Sequence, residues 1–396
     1  MVEIYVKQED QIVKSVVFEN IVIMEEKMIN KLFEIAKKEE ISDMHIKLNA
    51  YPAIRIDGKL KLLKILKIVD NKIIDEVLNE ILSENEKKIF LEKKNLDIAY
   101  TAKTGDRYRI NVFLQQGSPA FAMRRITGEI KSLEELGLPE ILKELAKEKR
   151  GMVLVTGAAG NGKSTTIASM IEYINKKETK NIITLEDPIE YLFEDKNSII
   201  NQREIPHDIN SYNEALKYIL RQDPDIIFIG ELRDKETIDA AMKASETGHL
   251  IVSTLHTVNS YQTIDRIINF YPAEQQKEIR IQLAGNLRGV ISQRLLPKKD
   301  GKGRVVALEI MVGSPSIREA IIKGNDISEI PYLIRTGKLI YGMQTFDQSI
   351  GELYTNKKIS YEVALESASV KKDIELLNMG IGSGKASDFY NDMINK

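Results

Sequence analysis

The stretch GMVLVTGAAGNGKST, Gly151 to Thr165, decides the fold. Its first half is an unbroken apolar run, which suits a strand buried on both faces. Its second half runs Gly157, Ala158, Ala159, Gly160, Asn161, Gly162, Lys163, Ser164, Thr165 and matches G-x-x-x-x-G-K-[ST]. It follows the strand directly and opens a helical segment, Ser164 to Lys177. Glycines let backbone N–H groups turn inward around phosphate oxygens, and the helix N-terminus adds the positive end of its dipole. Lys163 is then placed to neutralise the β- and γ-phosphates of ATP, and Ser164 to offer a hydroxyl to Mg²⁺.

Downstream the rhythm continues. NIITLE reads as a strand, Tyr212 to Arg221 as a helix, DIIFIG as a strand, Lys235 to Thr247 as a helix and HLIVSTLH as a strand. Apolar strands alternating with helices predict a parallel sheet covered on both faces. Beyond about Pro272 helices dominate, apart from a hairpin around PKKDGKGRVVALEIMV.

Upstream the pattern differs. The first 25 or so residues suggest one or two short strands, and Glu25 to Glu40 has helical spacing. SDMHIKLNAYPAIRIDGKLKLL alternates like a hairpin that turns at Asp57-Gly58. A helix over about Asn71 to Phe90 follows, then strands at LDIAYTA, RYRINVFLQQ and FAMRRI. The expected organisation is an α+β domain over 1–126, a linker over 127–139 and an α/β domain over 140–396 with a helical portion from about 272.

Composition bounds the function. The 396 residues allow two or three domains, and 43% hydrophobic content supplies real cores. Lys plus Arg is 57 against 59 for Asp plus Glu, a net charge of −2 that argues against a generic nucleic-acid binder. There is no cysteine, hence no disulfide framework and no thiolate zinc site. No apolar run approaches the roughly 20 residues that span a bilayer. The expectation is a cytoplasmic protein that would reach a membrane only through a partner.

Ligands of an open parallel sheet sit at the carboxyl ends of its strands. Asp225 starts DIIFIG and Glu231 follows its end, roughly 20 Å apart at about 3.3 Å per residue. Glu231, not Asp225, can therefore reach a metal at the phosphate turn. LEDPIEY adds Glu186, Asp187 and Glu190 at another strand end. Crowded acids there are costly unless a cation or a proton-transfer role offsets their repulsion. His249 and His256 bracket HLIVSTLH, and only His256 lies at the end that converges on the turn. Arg107 and Arg109 alternate onto one strand face, ahead of Arg124 and Arg125. That face suits a phosphate clamp or, equally, a solvated edge.

Together these residues resemble the secretion ATPase superfamily of type II secretion and type IV pilus machines, and within it the PilT-like retraction motors. The carriers include SDMHI, RYRINVF, GAAGNGKSTT, IITLEDPIEY, NQREI, RQDPDIIFIGELRD, AAMKASETGHLIVSTLHT, SPSIREAI and GMQTFD. The resemblance implies a PAS-like N-terminal domain, a RecA-like ATPase domain and a homohexamer. Its Walker A residues fall on Lys163 and Ser164, its general-base glutamate on Glu190, its Walker B glutamate on Glu231 and its His box on His249 and His256. Arg107, Arg109 and Arg124 match arginines that close over nucleotide, and Arg318 matches a motif needed for retraction; a solvated charge pair is the plainer role for Arg318. The implied partners are the pilus machinery and an inner-membrane platform protein, with the chain peripheral at the inner face of the membrane. An assembly ATPase for pilus extension or type II secretion is the alternative. Such relatives commonly carry a long N-terminal domain and a tetracysteine zinc insertion; neither is expected here, and the sequence holds no cysteine. Ala158-Ala159 and Asn161 depart from the usual Pro-Thr and Ser, and about 25 N-terminal residues precede the usual start.

Overall fold

The computed structural model of the chain describes residues 27–39, 41–56, 59–126, 130–324 and 329–380. The strands expected in the first 25 residues and the Asp57-Gly58 turn lie outside these described residues. The chain divides into two compact units, Met1–Gly128 and Glu129–Lys396.

The first unit comprises α1 (Met28–Lys38), β1 (Asp43–Ile46), β2 (Ala53–Ile56), β3 (Lys59–Leu62), α2 (Asn71–Ile81), α3 (Glu84–Lys93), β4 (Asn95–Thr101), β5 (Arg107–Gln115) and β6 (Ser118–Ile126). Its six-stranded sheet has the order β3-β2-β1-β6-β5-β4, antiparallel throughout. Alternation on β5 buries Tyr108, Ile110 and Val112 with Leu32, Phe33 and Val77 of the helices. The single helix expected over Asn71 to Phe90 is two helices. Ser83 and Glu86 form a reciprocal capping box that ends one and starts the next.

The second unit comprises α4 (Ile141–Ala146), β7 (Gly151–Thr156), α5 (Lys163–Lys177), β8 (Asn181–Glu186), β9 (Ile199–Glu204), α6 (Tyr212–Ile219), β10 (Ile226–Ile229), α7 (Lys235–Glu246), β11 (Leu250–Leu255), α8 (Ser260–Ile268) and α9 (Ala273–Asn286). It continues with β12 (Leu287–Pro297), β13 (Arg304–Val312), α10 (Pro315–Lys323), α11 (Ile330–Thr336), α12 (Lys338–Tyr341), α13 (Phe346–Thr355), α14 (Tyr361–Ser367) and α15 (Lys371–Asn378). The seven-stranded sheet has the order β13-β12-β7-β11-β10-β8-β9. All its pairings are parallel except β12 with β13.

Apolar runs on the central strands are continuous because both faces are covered. Met152 and Leu154 of β7 and Ile227 and Ile229 of β10 join α6 to α9 in one core. Val153, Val155, Ile226 and Phe228 point the other way, onto Ile167, Met170 and Ile174 of α5. A smaller core packs Phe346, Ile350 and Ala364 onto Leu296 and Ala307 at the β12–β13 edge.

Three expectations change. The hairpin beyond Pro272 begins earlier, because β12 starts at Leu287 and runs beside β7; the polar Ser292, Gln293 and Arg294 disguise it. Strand β9 was not anticipated, since IINQRE is half-exposed and polar at the sheet edge. The segment expected as a linker packs into the second unit from residue 130 onward: Leu133 and Leu138 are buried against Leu142 and Leu145. Leu133→Ala is accordingly expected to lower unfolding free energy by about 2–5 kcal/mol, as for a core leucine. Urea denaturation within about 0.5 kcal/mol of wild type would return the segment to a surface linker.

Candidate active site

Strand β7 delivers the chain to the phosphate turn. Gly157, Gly160 and Gly162 take φ of 142°, 78° and 83°, a region that favours glycine. Gly157 has a second constraint: a Cβ there would lie 2.6 Å from the Gln293 carbonyl oxygen. Asn161 ties the turn to the same strand. The Leu295 N–H donates to Asn161 Oδ1 at 3.3 Å, and Gln293 Nε2 donates to the Asn161 carbonyl at 3.4 Å. Strand β12, longer than expected, is thus the back wall of the turn. Ala158, Ala159 and Gly160 are exposed on its outer side.

Lys163 opens α5 and is buried. Its ammonium donates to the carbonyls of Gly157 at 2.7 Å and Ala158 at 3.3 Å, and lies 3.4 Å from His256 Nδ1. Burial pulls its pKa below the usual lysine value, while the Glu231 and Glu190 charges oppose that shift. Ser164 is half-buried, and Thr165 Oγ1 lies 2.8 Å from Tyr191 Oη.

Strand β10 ends at Ile229, and Gly230 follows because space is short. A Cβ on Gly230 would lie 2.8 Å from Tyr212 Oη and 3.2 Å from the Leu185 carbonyl. The acid therefore arrives one residue later. Glu231 Oε1 lies 3.4 Å from His256 Nε2, and Oε2 accepts from Arg233 Nε at 2.9 Å. Arg233 Nη1 reaches Asp187 Oδ2 at 3.6 Å. Lys163, His256, Glu231, Arg233 and Asp187 make one polar chain across the carboxyl ends of β7, β11, β10 and β8, which are neighbours in that order.

Of the acids after β8, Glu190 is exposed and its charge acts on Lys163. Glu186 is buried and accepts from Thr184 Oγ1 at 2.7 Å, Gln202 Nε2 at 3.2 Å and the Glu190 N–H at 3.4 Å. Burial pushes its pKa up to about 7.

The remaining candidates make other contacts. Asp225 accepts from the Asn181 N–H at 2.9 Å and pairs with Lys180, at the amino end of its strand. His249 sits at the amino end of β11, where its Nδ1 lies 2.9 Å from the Ala244 carbonyl oxygen. Arg109 and Arg124 face each other across β5 and β6 in the first unit; Arg124 pairs with Asp43 at 2.8 Å and Arg109 with Asp97 at 3.9 Å. Arg107 begins β5 opposite Ile126. Arg318 is exposed on α10, which Ser314 caps and Pro315 begins, with Ile317, Ala320 and Ile321 buried. Glu319 pairs with Lys323 at 2.6 Å. Sequence reasoning passed over Arg233, although its spacing two residues after Glu231 in GELRD was a signal.

The donors fit a Mg-nucleotide. The turn offers glycine-shaped backbone and a buried ammonium, and Ser164 and Glu231 carry the hard oxygen atoms that such an ion takes. No group of three or more His, Asp or Glu suited to a metal occurs among the described residues. Mg²⁺ is commonly held in that way, by one or two protein oxygens plus substrate phosphates.

The Type II/IV secretion system protein family matches residues 22–375. The chain belongs to that family. Within it, the chain is 39% identical to the type IV pilus retraction ATPase PilT of Pseudomonas aeruginosa, over 87% of this chain and 99% of the relative. It is 40% identical to a twitching motility protein of Neisseria gonorrhoeae, over 80% of this chain and 84% of the relative. A solved structure of the pilus retraction motor PilT with bound ADP superposes with a TM-score of 0.81 at 41% identity, covering 88% of this chain and 98% of that one.

Glu186 carries a pH signature. Its folded pKa, about 7, lies above the ordinary 4.5, so the folded state holds the extra proton and stability falls as pH rises between those values. Glu186→Gln should remove that slope, so the variant gains on wild type between about pH 5 and 7. Parallel stability profiles in urea unfolding would contradict a raised Glu186 pKa.

Proposed function

We propose that the chain is an ATPase motor that acts as a homohexamer and drives retraction of type IV pili. The observation that carries this reading is the polar chain from Lys163 through His256 to Glu231 at three adjoining strand ends, beside a phosphate turn. The relatives' names and the ADP-bound neighbour support the nucleotide and the task.

In this reading Lys163 leaves the Gly157 and Ala158 carbonyls and pairs with the β- and γ-phosphates. Ser164 and Glu231 would hold Mg²⁺, which would supply neutralisation of the charge on the phosphates. Glu190 polarises the attacking water, and His256 links the Lys163 ammonium to Glu231. The first unit is a PAS-like domain whose Arg107, Arg109 and Arg124 close over nucleotide, some from a neighbouring subunit. The second is RecA-like. His249 belongs to the subunit contacts, and α10 with Arg318 passes nucleotide state to a membrane platform partner. No helix among the described residues is long and apolar enough to cross a membrane, which suits a peripheral position on the cytoplasmic side.

Imaging surface pili in cells lacking this chain tests the task. Retained, overabundant pili that fail to shorten are expected, and complementation with Arg318→Ala should leave them unretracted while purified protein keeps most of its ATPase rate. Bald cells would instead assign the chain to pilus extension.

A further inference from the structure

The turn 187–193, which carries Glu190, has an unusual source of order. It belongs to no helix or strand, and none of its backbone groups bonds to another backbone group among the described residues. Side chains take over that task. The Glu190 N–H donates to Glu186 Oε2 at 3.4 Å, and the Ile189 N–H to Glu204 Oε2 at 3.2 Å. Gln202 makes the largest contribution. Its Nε2 donates to the Tyr191 carbonyl at 2.7 Å and to Glu186 Oε1 at 3.2 Å, while its Oε1 accepts from the Phe193 N–H at 2.9 Å. One amide thus grips the turn on the far side of Glu190 and holds the carboxyl group that grips Glu190 itself. The far side is also fixed to the phosphate turn's helix, through Tyr191 and Thr165.

We propose that Gln202, on the edge strand β9, is a positioning residue for the Glu190 carboxylate: it clamps the turn 187–193 so that Glu190 faces the reacting phosphate. The proposal rests on the water-activating role given to Glu190 above. It follows from amide chemistry that no other side chain of this size replaces Gln202. The clamp needs two donors and one acceptor in one plane, and only glutamine combines them at this reach. Glutamate at 202 loses both donors and sets a second carboxylate against Glu186. Leucine keeps the volume and loses all three bonds. Burial raises the Glu186 pKa to about 7, which disfavours a further negative charge beside it. Misplacing a catalytic group by about 1 Å is enough to cost roughly 100-fold in rate.

The full-length assembled protein provides the test. Steady-state ATP hydrolysis, ADP affinity and amide hydrogen exchange are measured for wild type, Glu190→Gln, Gln202→Leu and Gln202→Glu. Both Gln202 variants are expected to lose kcat by about 10-fold or more with KM and ADP affinity within a few-fold, and to exchange the Ile189, Glu190 and Phe193 amides faster while the strand amides of β7 and β10 stay protected. Glu190→Gln should be at least as slow, with those amides unchanged. Wild-type kcat in both Gln202 variants overturns the proposal. So does a joint loss of kcat, ADP affinity and strand protection, which marks general damage. If Glu190→Gln hydrolyses ATP at the wild-type rate, the role of Glu190 fails, whereas unchanged exchange in Gln202→Leu breaks the clamp alone.

Discussion

The Glu231 carboxylate, held between the His256 ring and the Arg233 guanidinium, is the contact on which the site depends. Each partner comes from a different strand end. His256 follows β11 and touches Lys163, while Arg233 reaches Asp187 after β8. A single acid thereby connects the ammonium of the phosphate turn with the acidic turn beyond β8. Its placement traces back to Gly230, where Tyr212 and the Leu185 carbonyl leave no room for a side chain. A side chain at Gly230, the residue after β10, would crowd both. A longer acid one residue later reaches the same region.

A second constraint acts behind the turn. Gly157 packs on the Gln293 carbonyl, and Asn161 bonds to both Gln293 and Leu295. The phosphate turn is therefore seated on β12, whose partner β13 carries the helical C-terminal cluster. A change in the turn has a packed route into the C-terminal region. Asn161, which departs from the usual serine, is part of that seat.

Much of this was legible in the sequence. The parallel sheet announced itself because MVLV, IITL and IIFIG are almost wholly apolar, as strands covered on both faces are. Lys163 was placed by the phosphate-turn motif, and Glu231 and His256 by strand direction, since only carboxyl ends converge. What escaped notice was polar. Strand β9 is half-exposed, so IINQRE shows no apolar run; β12 carries Ser292, Gln293 and Arg294 because it faces the phosphate turn and the C-terminal helices. Arg233 and Gln202 gain meaning only when turns distant in sequence are brought together, and no periodicity reports that. The helix break at Ser83 was readable as Ser-x-x-Glu, but the apolar spacing on both sides masked it.

The central claim is that Glu231 serves the reaction rather than the cradle. Nucleotide affinity and single-turnover hydrolysis measured on Glu231→Gln test it most directly. ATP affinity within a few-fold of wild type, with hydrolysis slower by about 100-fold or more, is the expected result. Hydrolysis within a few-fold of wild type would contradict it, and would move the metal or its water to another acid of the strand ends.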